Sequence, residues 1–389
     1  ASMIPVAGSA YTFTYTTVGE IVAWVIGWDL ILEMLMAGSV VSKYWGVYLN
    51  QFFELIGWNI NTNIAIGSFN FDLAPVIIVA FFTALLVMGT KIGARVDGAL
   101  TILKIAIVVF IVVVGFFYIK AENFTPFIPP SEPAASTDGS GVSAVMEQPL
   151  WQWATGMAPS IYGVTGIISG AALVFFAFLG FDVVATASEE TINPKKNVPL
   201  GIGVGLGLII VLYTLVAIVT TGMVSYKDLA KQSDPSLAVA FKMVGADWAA
   251  KIISLGIVIG MATVVMVLLL GLTRVVFAMS RDGLLPRGLS HTGKHGTPVR
   301  LQIIVGVVMA LIAACCNVGI LSDMVNIGTL SAFTLVAISI PIMRKKRPDL
   351  ERSFKIPGNP WVPILIALAN LWLMVNLSVL TWIRFVVWL

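Results

Sequence analysis

Lys104 lies about nine residues into the apolar run 95–118, too deep for its ammonium to reach water easily. A cation at that depth marks a functional site by default. It could exchange a proton during a working cycle, or stand as a permanent charge that tethers helices. Asp29 and Glu33 are four residues apart and share one helical face near the middle of another apolar run, where carboxylates are costly. They could contact an amine, pair with a lysine, or hydrogen-bond to neighbours; Glu33, the deeper, is the better candidate. Phe175-Phe176-Ala177-Phe178-Leu179-Gly180-Phe181-Asp182 carries a glycine inside a third run. Glycine there permits close packing or local unwinding, and unwound backbone at membrane depth is tolerated only where it lines a cavity. Freed amides and carbonyls could bind a small zwitterion, with Asp182 accepting from freed amides or gating access. A continuous aromatic helix is the other reading. Met266, in the middle of a further run, offers a flexible thioether for a pocket wall or for ordinary packing.

Other chemistry is not supported. His291 and His295 sit in one basic loop without a metal-binding spacing, and the two cysteines, Cys315 and Cys316, are adjacent in an apolar run. No disulfide framework, zinc site or cofactor is implied. The 23 Lys and Arg are dispersed, whereas a nucleic-acid surface needs a clustered basic face. A membrane-embedded enzyme would need a catalytic constellation at depth, and a channel would need a ring of like charges or carbonyls.

The elements that must hold these residues follow from composition. The 389 residues are 58% hydrophobic and 11% charged, with mean hydropathy +0.96. Soluble domains carry about 25% charge. The chain is therefore a multi-span membrane protein, with spans expected at 18–42, 74–90, 95–118, 166–188, 200–224, 248–280, 300–317, 320–341 and 361–377. A tenth run from Ser378 to Leu389 is too short to cross, which suggests a chain cut at its C-terminus. Loops 91–95, 189–199, 281–300 and 342–360 hold fourteen of the 23 cations and the opposite loops six, so the first set is cytoplasmic. Segment 119–165, rich in Pro and then Ser/Thr/Gly, reads as a long outer loop, a flexible connection between two halves.

Several stretches resemble the amino acid–polyamine–organocation (APC) transporters. Gly180-Phe181-Asp182 through Glu189-Glu190-Thr191-Ile192-Asn193-Pro194-Lys195-Lys196-Asn197-Val198-Pro199 resembles their sixth helix and the loop after it. The run Phe175 to Asp182 is similar to the cationic amino acid transporter subfamily and its bacterial relatives. Gly27-Trp28-Asp29-Leu30-Ile31-Leu32-Glu33 resembles the entry to helix three, Asn123-Phe124-Thr125-Pro126-Phe127 the outer end of helix five, and Ser280-Arg281-Asp282-Gly283 the end of helix eight.

The resemblance implies an all-α polytopic membrane protein: a LeuT-like bundle of twelve helices with a 5+5 inverted repeat, residues 166–341 forming the second repeat. On that count residues 1–389 are a single transporter domain that begins after helix two and ends within helix twelve, without helix one, which carries half of the family's substrate site. It places Lys104 in helix five, where proton-coupled members carry a lysine in place of a sodium site. Phe176 corresponds to the aromatic gate, Phe175, Ala177, Phe178 and Gly180 to the unwound segment, Asp182 to the acid just after it, and Met266 to the pocket wall from helix eight. Glu33 is the candidate from helix three. The implied activity is secondary active transport of amino acids across the plasma membrane, proton-coupled and by alternating access. The alternatives are an exchanger and an amino acid sensor on a transporter fold. Expected partners are an amino acid, protons and membrane lipid, with a small single-helix partner left open.

Overall fold

A computed structural model describes residues 11, 15, 19–58, 60, 62–66, 69–89, 94–133, 142–158, 160–180, 191–232, 235–291, 298–346 and 358–389. The spans appear as α1 (Glu20–Leu55), α2 (Leu73–Val87), α3 (Ala94–Phe116), α4 (Gly163–Val174), α5 (Pro194–Met223), α6 (Asp247–Arg281), α7 (Val299–Cys315), α8 (Val318–Lys346), α9 (Trp361–Val375) and α10 (Val379–Trp388). Five described helices are long and apolar enough to cross a bilayer.

Helix α1 is the central column, packed against α6, α8, α7 and α2. Its most apolar stretch is 67% buried, whereas that of α5 is 6% buried. A helix that is apolar all round yet exposed has a face for lipid rather than for water. The core between α1, α2, α6 and α7 gathers Leu30, Met34, Ile78, Leu269, Leu272 and Met309.

Helix α1 does not stop at residue 42 as expected; it continues to Leu55. Ser42 satisfies its hydroxyl on the Ser39 carbonyl at 2.8 Å, so it does not break the helix. Beyond Ser42 the helix is held from the side. The Tyr48 hydroxyl accepts from the Leu237 amide at 3.3 Å, Ser236 Oγ donates to Gln51 at 2.8 Å, and Lys242 pairs with Glu54 at 3.0 Å. These partners belong to a short helix, Leu237–Met243, and its cap.

Segment 119–165, expected as a flexible connection, carries secondary structure where it is described, and its Ser136–Gly141 stretch lies outside the described residues. Its described part forms a 3-10 turn Ala121–Phe124, the helices Val142–Glu147 and Leu150–Thr155, and a strand Glu132–Pro133 paired antiparallel with Ser160–Ile161. Pairing of the Leu150 amide with the Leu377 carbonyl (3.0 Å) and of Trp151 Nε1 with Asn376 (2.8 Å) ties it to the α9–α10 corner. A hairpin, Asn63–Ile66 with Phe69–Asp72, adds the second strand pair, so the fold is mostly helical rather than wholly so.

Candidate functional site

The third feature of the sequence resolves into a break. Helix α4 ends at Val174 and tightens into a 3-10 turn over Phe175–Phe178. Leu179 then turns extended (φ −63°, ψ 143°), and Gly180 takes φ 110°, a region open to glycine. The expected span 166–188 is thus interrupted before residue 181. Asp182, like Glu189 and Glu190, lies outside the described residues.

Two carbonyls beside the break are held by side chains from other helices. Asn326 Nδ2 of α8 donates to the Leu173 carbonyl at 3.1 Å. The Tyr213 hydroxyl of α5 donates to the Ala177 carbonyl at 2.8 Å, and its ring stands edge-on to Phe178 at 5.4 Å. Irregular backbone at membrane depth needs its polar groups paired by the protein, and these two carbonyls are.

The aromatic side chains face different neighbours. Phe175 meets Phe333 edge-on at 6.2 Å and packs with Leu32, Met324 and Ile327. Phe176 and Leu179 pack on Ala37, Leu268 and Val325, with Val264 alongside. The break therefore abuts α1, α6 and α8. One turn along α1 from Ala37 is Glu33, and one turn further is Asp29; both are fully buried. Asp29 Oδ2 accepts from Ser331 Oγ of α8 at 2.9 Å.

Lys104 is half-buried on α3. Its stem lies along α6, where a β-carbon at Gly260 would stand 3.3 Å from Lys104 Cγ. The next turn repeats the contact with Ile107 over Gly256. Gly260, Val264 and Leu268 fall on one i±4 ridge of α6. The lysine contact and the Phe176 contact thus share a ridge, about one turn apart.

Met266 is placed elsewhere. It is buried in the α1–α2–α6–α7 core, apart from the Phe176 cluster, and α6 reaches that cluster through Val264 and Leu268 instead. Asn326 and Tyr213 were missed at the sequence level. The signal was present in each: an amide in Met324-Val325-Asn326-Ile327, and a hydroxyl in Val211-Leu212-Tyr213, both polar groups inside apolar runs. Among the described residues no three His, Cys, Asp or Glu come together as a metal site.

A family model described as amino acid permease matches residues 1–384. The chain belongs to the amino acid permease family. It is 41% identical to the branched-chain amino acid permease BcaP of Bacillus subtilis and 39% identical to the methylthioribose transporter of the same organism. Both matches span the whole chain and 78% of the relative. A cationic amino acid transporter of Arabidopsis thaliana is 35% identical over 90% of the chain and 54% of its own length. The permease is a multi-pass membrane protein of the APC superfamily, a transporter and not an enzyme, and the family implies an amino acid substrate and a LeuT-like polytopic fold.

Proposed function

We propose that this permease is a plasma-membrane symporter that couples neutral amino acid uptake to protons by alternating access, with residues 166–341 as the second of two inverted repeats. The carrying observation is the break after Val174, wedged between α1, α6 and α8 with its carbonyls held apart. A discontinuous helix offers a zwitterion polar backbone groups that a continuous helix keeps for itself. Phe176 closes the site against Ala37, Val264 and Leu268, while Phe175, Ala177, Phe178 and Gly180 shape its backbone. Those apolar walls favour an uncharged side chain. Branched-chain amino acids, which name one of the Bacillus relatives, have side chains of that kind. Lys104 links protonation to closure through the shared ridge of α6.

A cationic substrate is the second reading. It rests on Glu33, buried one turn from Ala37, and on the relatives named as cationic amino acid transporters. Uptake of labelled leucine, alanine and arginine into proteoliposomes separates the readings. Leucine or alanine should accumulate under an inward proton gradient and not without one. Stronger uptake of arginine would overturn the neutral preference, and equal uptake without a gradient would indicate an exchanger or facilitator.

A further inference from the structure

Asn326 makes one hydrogen bond and withholds another. Its side chain is fully buried, its amide NH2 donates to the Leu173 carbonyl at 3.1 Å, and its Oδ1 is buried without a partner. The amide orientation is fixed by chemistry, because only the NH2 group can donate to a carbonyl. What remains is an acceptor with nothing to accept. Such an atom in an interior is costly, and native proteins keep few of them.

Its place narrows what could satisfy it. Leu173 stands at the C-terminal end of α4, next to the break. The end of a helix carries partial negative charge and favours a cation. An acceptor oxygen and a negative helix end at one place select a positively charged hydrogen-bond donor. A neutral amino acid has one such group, its ammonium, since its carboxylate only accepts. We propose that Asn326 is a substrate-contacting residue of this permease: it holds the end of α4 through its NH2 and presents Oδ1 to the substrate ammonium. This rests on the reading of the break as the transport site.

The test is equilibrium binding to the purified full-length protein, with labelled L-leucine as probe and 4-methylpentanoate, leucine without its ammonium, as competitor. Asn326→Leu removes the acceptor at similar volume. It should weaken L-leucine at least about tenfold while changing 4-methylpentanoate by less than about threefold. Should Asn326→Leu not elute as a single folded species, Asn326→Ala carries the same comparison. Unchanged L-leucine binding overturns the proposal and leaves the transport site standing. Equal weakening of both ligands also overturns it, because Asn326 then only props α4. If the wild type binds neither leucine nor alanine, the neutral substrate reading fails, and the role of Asn326 fails with it.

Discussion

Lys104 and Gly260 meet across the α3–α6 seam so closely that a single β-carbon at 260 would press on the lysine stem at 3.3 Å. The neighbour in question is a flexible side chain, so Gly260→Ala should be tolerated. Gly260→Leu should displace the ammonium without disturbing the core of α1. Proteoliposome uptake of Gly260→Leu is expected to lose most of its response to an imposed proton gradient, as Lys104→Ala should. Unfolding temperatures should stay within a few degrees of wild type, because a half-exposed seam adds little to stability. Normal gradient dependence in both variants would make Lys104 a structural tether.

Tyr213 holds the Ala177 carbonyl through one hydroxyl while its ring packs on Phe178. Tyr213→Phe keeps the ring and deletes the bond, leaving that carbonyl unpaired at the break. The expected cost is about 1 kcal/mol of stability. Uptake should suffer more than stability, because the backbone conformation after Val174 is what the substrate would meet. A maximal rate lowered severalfold with a small change in thermal midpoint is the expected pattern; a large thermal shift with an unchanged rate would assign Tyr213 to packing alone.

Segment 119–165 is held by a three-part clasp. Lys227 pairs with Glu132 at 2.8 Å and stands 5.5 Å from the Tyr162 ring centre, and Tyr162 meets Tyr226 edge-on at 5.3 Å. Hydrogen bonding and charge attraction from Glu132 raise the Lys227 pKa above its ordinary value. A cation with a raised folded-state pKa contributes fully below its unfolded value, about 10.4, and loses that contribution as pH rises through the folded value. The clasp is therefore closed throughout the neutral range. Lys227→Glu should open it and speed proteolysis within 119–165, and adding Glu132→Lys should restore resistance. Equal proteolysis of the single and double variants would count against the clasp.

How far the sequence could be read depends on what each element touches. The spans in α2, α3, α6 and α7 were legible within a few residues, because lipid imposes a length and an apolar composition on them. The end of α1 was not legible: Ser42-Lys43 looks like a membrane exit, but a short helix 190 or so residues away keeps the chain helical to Leu55. The break after Val174 was legible only as one of two readings, since Gly180 permits it and tertiary partners decide it. Those partners, Asn326 and Tyr213, are single polar residues in apolar runs, and nothing local says which carbonyl they serve. Met266 shows the converse. Its mid-span position suited a pocket wall, yet the rotation of α6 turns Val264 and Leu268 to Phe176 and Met266 into the core. A shift of two residues on a helix is a change of face.

Tyr11 ties the segment ahead of α1 to the end of α6. Its hydroxyl donates to Asp282 at 2.8 Å, and its ring is buried against the α1–α6 core. Burial first, and then the bond to Asp282, raise the Tyr11 pKa above its ordinary value. The neutral, donating form therefore persists through physiological pH; its contribution is present below the unfolded value near about 10 and is lost only as pH rises through the folded value. Tyr11→Phe keeps the ring and removes the tether. A carboxylate acceptor makes such a bond worth about 1.5–3 kcal/mol, enough to bias a two-state equilibrium roughly tenfold or more. If the cytoplasmic path opens by parting these two segments, Tyr11→Phe should favour the inward-open state. Labelling of a cysteine introduced at Gly283 should then accelerate in inside-out vesicles, and substrate release should quicken. Labelling at the wild-type rate would show that the bond holds the terminus of α1 without taking part in the cycle.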